Sequence, residues 1–371
     1  MKKILHIPNY YPPHVGGIED VCYNIVKAMH AKGYPQKVIC FNDKKQTEKD
    51  AYEGVEIIRI GIWGKIASQA IALSYRARLK ALISEFDPDI VHFHAPNPLA
   101  AYALLNVLPR RVKLIVHWHS DIVAQKIIYR LVRPLESGLL SRADTIVATS
   151  PDYVAFSKPL QSFIDKVTVI QNIIVPEKFK LTEACGQQVD KIKRENGNKP
   201  IVLFVGRHVP YKGLQYLIEA AGMIRQDCVI LIGGKGPLTR KLKEANKSRN
   251  VKFIGRIPDE ELVAYLYAAD IFAFPSITKN EAFGVALAEA MYCLTPAVTF
   301  EITGSGVNWV NLHGETGLEV ENGNSREFAA AINTLLEQND LRHHLSLKAR
   351  ERVESTFTLN QIADKLEQIY R

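Results

Sequence analysis

Ile201-Val202-Leu203-Phe204-Val205-Gly206-Arg207-His208-Val209-Pro210-Tyr211-Lys212-Gly213 runs five apolar residues straight into a glycine and a basic loop, with a helix-period segment behind it. An apolar run this short, closed by glycine and followed by a helix, reads as a parallel strand buried on both faces. Outward from it the rhythm repeats at 229–232, 251–254, 271–273 and 297–300. Upstream it is already present at 3–7, 36–41, 55–60, 90–94, 113–117, 145–149 and 166–170, with helical stretches at 19–31, 74–85 and 126–141. Between the two series, 171–199 is polar and broken by Pro176, Gly186 and Gly197. The expected fold class is α/β, with two doubly wound Rossmann-like domains facing across a cleft: 1–170, a linker region at 171–199, and 200–358. The final helix, about 359–371, is free to pack on either domain. A chain of 371 residues is too long for one ordinary core, a single large α/β barrel being the other architecture of this size.

Composition narrows the class. Apolar residues are 47% and charged residues 23%, close to globular averages, which excludes disordered and fibrous chains. Of the formal +8, most lies in the first half: residues 1–170 carry 22 Lys and Arg against 15 Asp and Glu, the remainder 25 against 24. The first half is thus expected to meet something anionic. Cys22, Cys40, Cys185, Cys228 and Cys293 are odd in number and widely spaced, which fits reduced thiols in a cytoplasmic protein. The apolar run after Lys2-Lys3 stops at Pro8, too short for a signal peptide, and no window reaches the ~18 apolar residues of a spanning helix.

In open α/β sheets ligands sit beyond the carboxyl ends of the strands, and three constellations fall there. Gly16-Gly17 precedes a helix, where bare backbone can approach an anion; a tight turn needing positive φ is the other reading. Arg207 and Lys212 flank a loop opening another helix, a fork and a point cation suited to a diphosphate, or else two solvated charges. Gly233-Gly234-Lys235-Gly236 is a further glycine turn lacking the full dinucleotide fingerprint. The third is Glu281-Ala282-Phe283-Gly284-Val285-Ala286-Leu287-Ala288-Glu289, two carboxylates roughly 12 Å apart along a helix whose N-terminus lies between them. Carboxylates accept from sugar and ribose hydroxyls; two solvated glutamates on an amphipathic helix are the plainer alternative.

Glu281 and Glu289 in this setting resemble the E-x7-E signature of the family-four retaining glycosyltransferases. Those enzymes have the GT-B fold. The resemblance extends over Gly16-Gly17, Asp89–His94, His119-Ser120-Asp121, the Arg207/Lys212 loop, Gly233–Gly236, residues 259–276 and Thr316-Gly317-Leu318. The run 276–291, with Gly304–Val307 and Trp309, is similar to bacterial mannosyl- and rhamnosyl-type transferases of surface-polysaccharide assembly. It implies a nucleotide-sugar donor as substrate, GDP-mannose favoured over a UDP-hexose, no cofactor, and a glycan or lipid-diphosphate-linked acceptor. Arg207 and Lys212 would neutralise the departing diphosphate, Gly16 and Gly17 would reach it from the other domain, and Gly234 would border the donor. Glu281 would bind the donor sugar and Glu289 the ribose, with Phe283, Gly284 and Val285 between them. The base would lie against Gly255-Arg256-Ile257. His119 would stand beside the reacting sugar, with His94 and Asp121 lining the acceptor side of the cleft.

His92-x-His94 and His117-x-His119-x-Asp121 alternate along strand ends and are open to a metal reading, since imidazole and carboxylate bind zinc. Asp87-Pro88-Asp89 resembles a metal-binding Asp-x-Asp but precedes its strand, at the end away from the cleft. The expectation is therefore metal: none. The basic set Lys65, Arg76, Arg78, Lys80, Arg110, Arg111, Lys113, Lys126, Arg130 and Arg133 is interleaved with Ile62, Trp63, Ile66, Ile71, Leu73, Ile127, Ile128 and Leu131. It suits an anionic membrane surface on the inner face of the cell membrane, or a plain solvated face; no nucleic-acid motif accompanies it. A GT-B epimerase or hydrolase, and a catalytically silent sugar-nucleotide binder, are the competing functions. Oligomeric state is not legible.

Overall fold

The computed structural model describes residues 1–14, 16–66, 69–122 and 126–371, with the side chains of Ile66, Lys126, Ile127, Ile128, Leu131 and Asn360 outside that description. Expectations placed on Val15 and on those side chains lie outside the described residues. The chain forms two compact units, Met1–Ile173 with Leu359–Arg371, and Ile174–Thr358.

In the first unit the strands are β1 (Ile4–Ile7), β2 (Gln36–Phe41), β3 (Glu48–Tyr52), β4 (Val55–Ile60), the hairpin β5 (Gly64–Ile66) and β6 (Gln69–Ile71), then β7 (Ile90–Ala95), β8 (Lys113–Trp118), β9 (Thr145–Ala148) and β10 (Val167–Val169). Eight of them form one sheet in the order β10-β9-β8-β7-β1-β2-β4-β3. All pairings are parallel except β3 with β4. β7 is buried at all six positions, as a strand covered by helices on both faces must be. Edge strand β3 instead reads EKDAY, and its charges discourage further pairing. The helices Gly17–Ala31 and Leu359–Tyr370 cover one face, packing Val21, Ile25, Ile362, Leu366 and Tyr370 on Ile4, Ile90 and Ile115. The C-terminal helix thereby belongs to the first unit.

The second unit contributes β11 (Ile201–Val205), β12 (Val229–Gly233), β13 (Val251–Gly255), β14 (Ile271–Phe274), β15 (Ala297–Phe300) and β16 (Gly317–Val320). Their order, β13-β12-β11-β14-β15-β16, reverses direction between β11 and β14. That switch point is where a doubly wound sheet opens a crevice for ligand. The stretch 171–199 differs from a linker. From Ile174 on it belongs to the second unit and carries the helix Glu183–Glu195, whose N-terminus is capped by the Thr182 hydroxyl accepting from Cys185 N–H at 3.2 Å. Only Ile192 of that helix is buried, which is why its sequence looks polar throughout.

Candidate functional site

At the β11/β14 switch point two loops meet. The first leaves β11 through Gly206 and Arg207, makes a turn of 3-10 helix over Pro210–Lys212, and passes Gly213 into the helix Leu214–Ala221. Gly213 has φ +61, and a Cβ there would stand 2.0 Å from the Pro275 carbonyl oxygen. Only glycine permits that approach. It lets Ile277 N–H donate to the Tyr211 carbonyl at 2.9 Å, tying this loop to the one after β14.

Lys212 turns inward as a result. Its side chain is 11% exposed, with the ammonium 4.8 Å from the centre of the Phe274 ring and ion-paired to Glu281 Oε2. Glu281 is equally enclosed, at 12%. Ser276, fully buried, donates its hydroxyl to the same Oε2 at 3.2 Å, and buried Ser305 donates to the Glu281 backbone carbonyl. Gly284, at φ +91, caps the helix Val285–Tyr292, so the first-turn amides of that helix open beside Glu281. Glu289 is half-buried about one turn into that helix. The structure thus brings Lys212, Glu281, Gly284 and Val285 together. It separates Arg207 from Lys212 in environment, since Arg207 is exposed.

The three loops after β11, β12 and β13 pack through glycine. A Cβ on Gly234, at φ +113, would lie 1.9 Å from the Gly206 oxygen, and Gly234 N–H donates to the Gly255 carbonyl at 2.6 Å. Beside them opens a cavity of about 260 Å³ lined by His208, Gly234, Lys235, Thr239, Lys243 and Phe253, among others. Gly236 N–H and His208 Nδ1 both bond Thr239 Oγ1, at 2.9 and 2.8 Å. Burial lowers the His208 pKa. Arg256 is exposed, and Ile257 is buried against Gly233. The Phe283 ring is 2% exposed and sits among Trp309 and Phe357, at 6.3 and 5.3 Å between centroids, which leaves its backbone as the part that can face a ligand.

In the first unit Gly16 is extended, with φ 178, so no positive φ accounts for it. Gly17 begins the helix, and the Glu19 carboxylate lies against Gly16, where a Cβ would be 2.3 Å from Oε2. The positive end of this helix is therefore already met by a carboxylate. His94 is fully buried, as is every position of β7. It belongs to a row of five buried histidines, His6, His92, His94, His117 and His119. His94 Nδ1 bonds His119 Nε2 at 3.0 Å, and His92 Nδ1 bonds the Tyr370 hydroxyl at 2.6 Å. Burial pushes the His6 ring down to about 4 and the His117 ring to about 3, and holds His92, His94 and His119 well below the ordinary imidazole range. His94, His117 and His119 place ring nitrogens within 4.8 Å of one another. Their planes lie 5–17° apart, and two of these nitrogens, His94 Nδ1 and His119 Nε2, are already engaged with each other in a hydrogen bond. His119 is the most exposed of the five, at 7%. Asp121 anchors its own loop: Oδ1 accepts from the Trp118 indole at 3.0 Å and from Ser157 Oγ at 2.6 Å.

Sequence reading missed Ser276, Ser305, His208 and Thr239. A serine after a proline carries no spacing signal of its own, and their roles depend on loops distant in sequence.

Residues 15–178 match the family described as Glycosyltransferase Family 4, and 187–352 match Glycosyl transferases group 1. The O-antigen chain mannosyltransferase C of Escherichia coli is 32% identical over 99% of this chain and 98% of its own. The D-rhamnosyltransferase WbpZ of Pseudomonas aeruginosa is 31% identical over 96% and 92%. Among solved structures, the sucrose-phosphate synthase of Thermosynechococcus elongatus superposes with a TM-score of 0.82 at 22% identity, covering 100% of this chain and 98% of that one. Anabaena HepE, solved with UDP-glucose, gives 0.79 at 19%, covering 100% and 99%. The chain belongs to glycosyltransferase family 4 and has the GT-B fold.

Proposed function

We propose that this glycosyltransferase moves a hexose, mannose from GDP-mannose, onto a glycan or lipid-linked saccharide acceptor in surface-polysaccharide synthesis, with retention at the anomeric carbon. The observation that carries the donor site is the Lys212–Glu281 pair at the start of the helix Val285–Tyr292. Cleaving the anomeric C–O bond leaves negative charge on the diphosphate. Lys212 and the helix amides at Val285 form a cation and dipoles fixed beside Glu281 to receive it, with Arg207 as an exposed cation on the same loop as Lys212, and such preorganisation is usually the largest catalytic contribution. Glu281 holds sugar hydroxyls and Glu289 the ribose. The base lies along Gly255-Arg256-Ile257 beside Gly234. No metal is needed where cationic side chains meet the leaving group. His119, the most exposed of the buried row, is the first unit's candidate for contact with substrate. The roles of Gly16, Gly17 and Asp121 are weaker, because Glu19 stands at the first and a structural hydrogen-bond pair holds the last. The choice of mannose rests on likeness to the two polysaccharide transferases named above.

The enzyme works at the inner face of the cell membrane. Lys65 and Arg111 are paired with Asp43 and Asp87, which leaves Arg76, Arg78 and Lys80 as exposed cations on the helix Tyr75–Phe86. Trp63 and Leu73, 72% and 76% exposed, stand close by in sequence. Among the described residues no helix is long and apolar enough to cross a membrane. Sedimentation with vesicles tests this: binding should rise with anionic lipid, and equal binding to neutral vesicles would contradict it. The catalytic reading is tested by incubating the protein with GDP-mannose and lipid-linked glycans in the presence of chelator. Transfer giving an α-linked product is expected. An inverted product, or donor consumption without acceptor, would contradict it.

A further inference from the structure

We infer that Ser276 is a positioning residue for the Glu281 carboxylate, the group that keeps it in place when the donor arrives. The inference rests on the reading of Glu281 as the sugar-binding acid. Both the Lys212 ammonium and the Ser276 hydroxyl converge on one oxygen, Glu281 Oε2. The other oxygen is left to meet a ligand hydroxyl. A diphosphate competes for the ammonium, being the denser anion, and so draws Lys212 away from the carboxylate. Glu281 is 12% exposed and cannot exchange that partner freely for water. The hydroxyl of Ser276 is fully buried and fixed at the end of β14, and it does not depend on the state of Lys212. Its O–H to Oε2 bond persists and continues to aim the carboxylate. Ser305 performs the matching task on the backbone, donating to the Glu281 carbonyl while accepting from Val307 N–H at 3.2 Å.

This division of labour has a signature. A nucleoside diphosphate lacks the sugar and so, of the Lys212–Glu281 pair, engages only Lys212, whereas the nucleotide sugar needs Glu281 held in place. The affinities of GDP and GDP-mannose, with UDP and UDP-glucose as a second pair, should be measured by calorimetry on the full chain and on S276A, S276T and E281Q. S276A should keep its affinity for the nucleoside diphosphate while losing about 10-fold in affinity for the nucleotide sugar and in kcat/KM, the size expected for a hydrogen bond to a charged group. S276T, which keeps the hydroxyl, should recover most of the loss, and S276A with E281Q should be no worse than E281Q alone. Should S276A fold poorly, S276C keeps the volume with a weak donor and carries the same expectation. Wild-type behaviour of S276A beside an impaired E281Q would overturn the positioning role only. Equal losses for diphosphate and sugar nucleotide would mark Ser276 as merely structural and overturn it too. A fully active E281Q would overturn the reading of Glu281 itself.

Discussion

Lys212 and Glu281 are each other's nearest partner in an enclosed corner, so neither can be removed without stranding the other. Breaking a buried pair from one side is expensive because a bare charge stays behind. K212A is expected to lose turnover by at least two orders of magnitude and about 2–3 kcal/mol of stability. K212A/E281Q should regain much of the stability and none of the activity. Denaturant titration and steady-state transfer check both halves, and a K212A protein with near-normal turnover would contradict the phosphate role. The residue scale is also where sequence and structure part most. Glu281, Lys212 and Gly284 could be singled out in the sequence, since Lys212 lies in the loop that follows β11 and the other two in the loop that follows β14. That Phe283 points into the core and that Ser276 holds Glu281 could not, because both depend on Trp309, Phe357 and the β14 loop arriving from elsewhere.

Two elements carry conformations that the loops depend on. Gly213 stands at φ +61 with a carbonyl where its Cβ would be, so G213A is expected to cost about 3 kcal/mol and to displace Lys212. A thermal melt near that of wild type would contradict it. Strands β1, β7 and β8, with His119 just past the last of them, carry the histidine row, whose rings are neutral in the fold and have an ordinary pKa near 6.5 once unfolded. The unfolded chain therefore binds protons that the folded chain refuses, and stability falls as the pH drops below about 6.5. For His6 the loss accumulates down to about 4 and for His117 down to about 3. At pH 5 each costs about 2 kcal/mol. Urea unfolding at pH 7 and pH 5 should show that slope, and H117F should flatten it; a pH-independent midpoint would contradict the neutral row. The strands themselves were legible as apolar runs. The hairpin β5–β6, edge strand β3 and the last strand β16 were not, being too short or too charged to stand out.

At the scale of the molecule, the chain leaves the first unit at Ile173 and returns to it at Leu359. Tyr370 and the Lys32–Glu367 ion pair at 2.8 Å fasten the returning helix. Deleting 359–371 should uncover Ile4, Ile25 and the histidine row, and lower the melting of the first unit while that of the second is kept. A single unshifted transition in calorimetry would contradict it. The repeat of the strand–helix rhythm made two units readable. The path of the last helix was not readable, because its apolar stripe would suit either sheet until His92 and Tyr370 were seen together.

The donor site is tested most directly by titrating GDP and UDP, without added metal, into the wild-type protein and into K212A. The expected result is saturable binding of at least one of them to the wild type, weakened tenfold or more in K212A. Equal affinity in the two proteins would place the diphosphate elsewhere and contradict the site at Lys212 and Glu281.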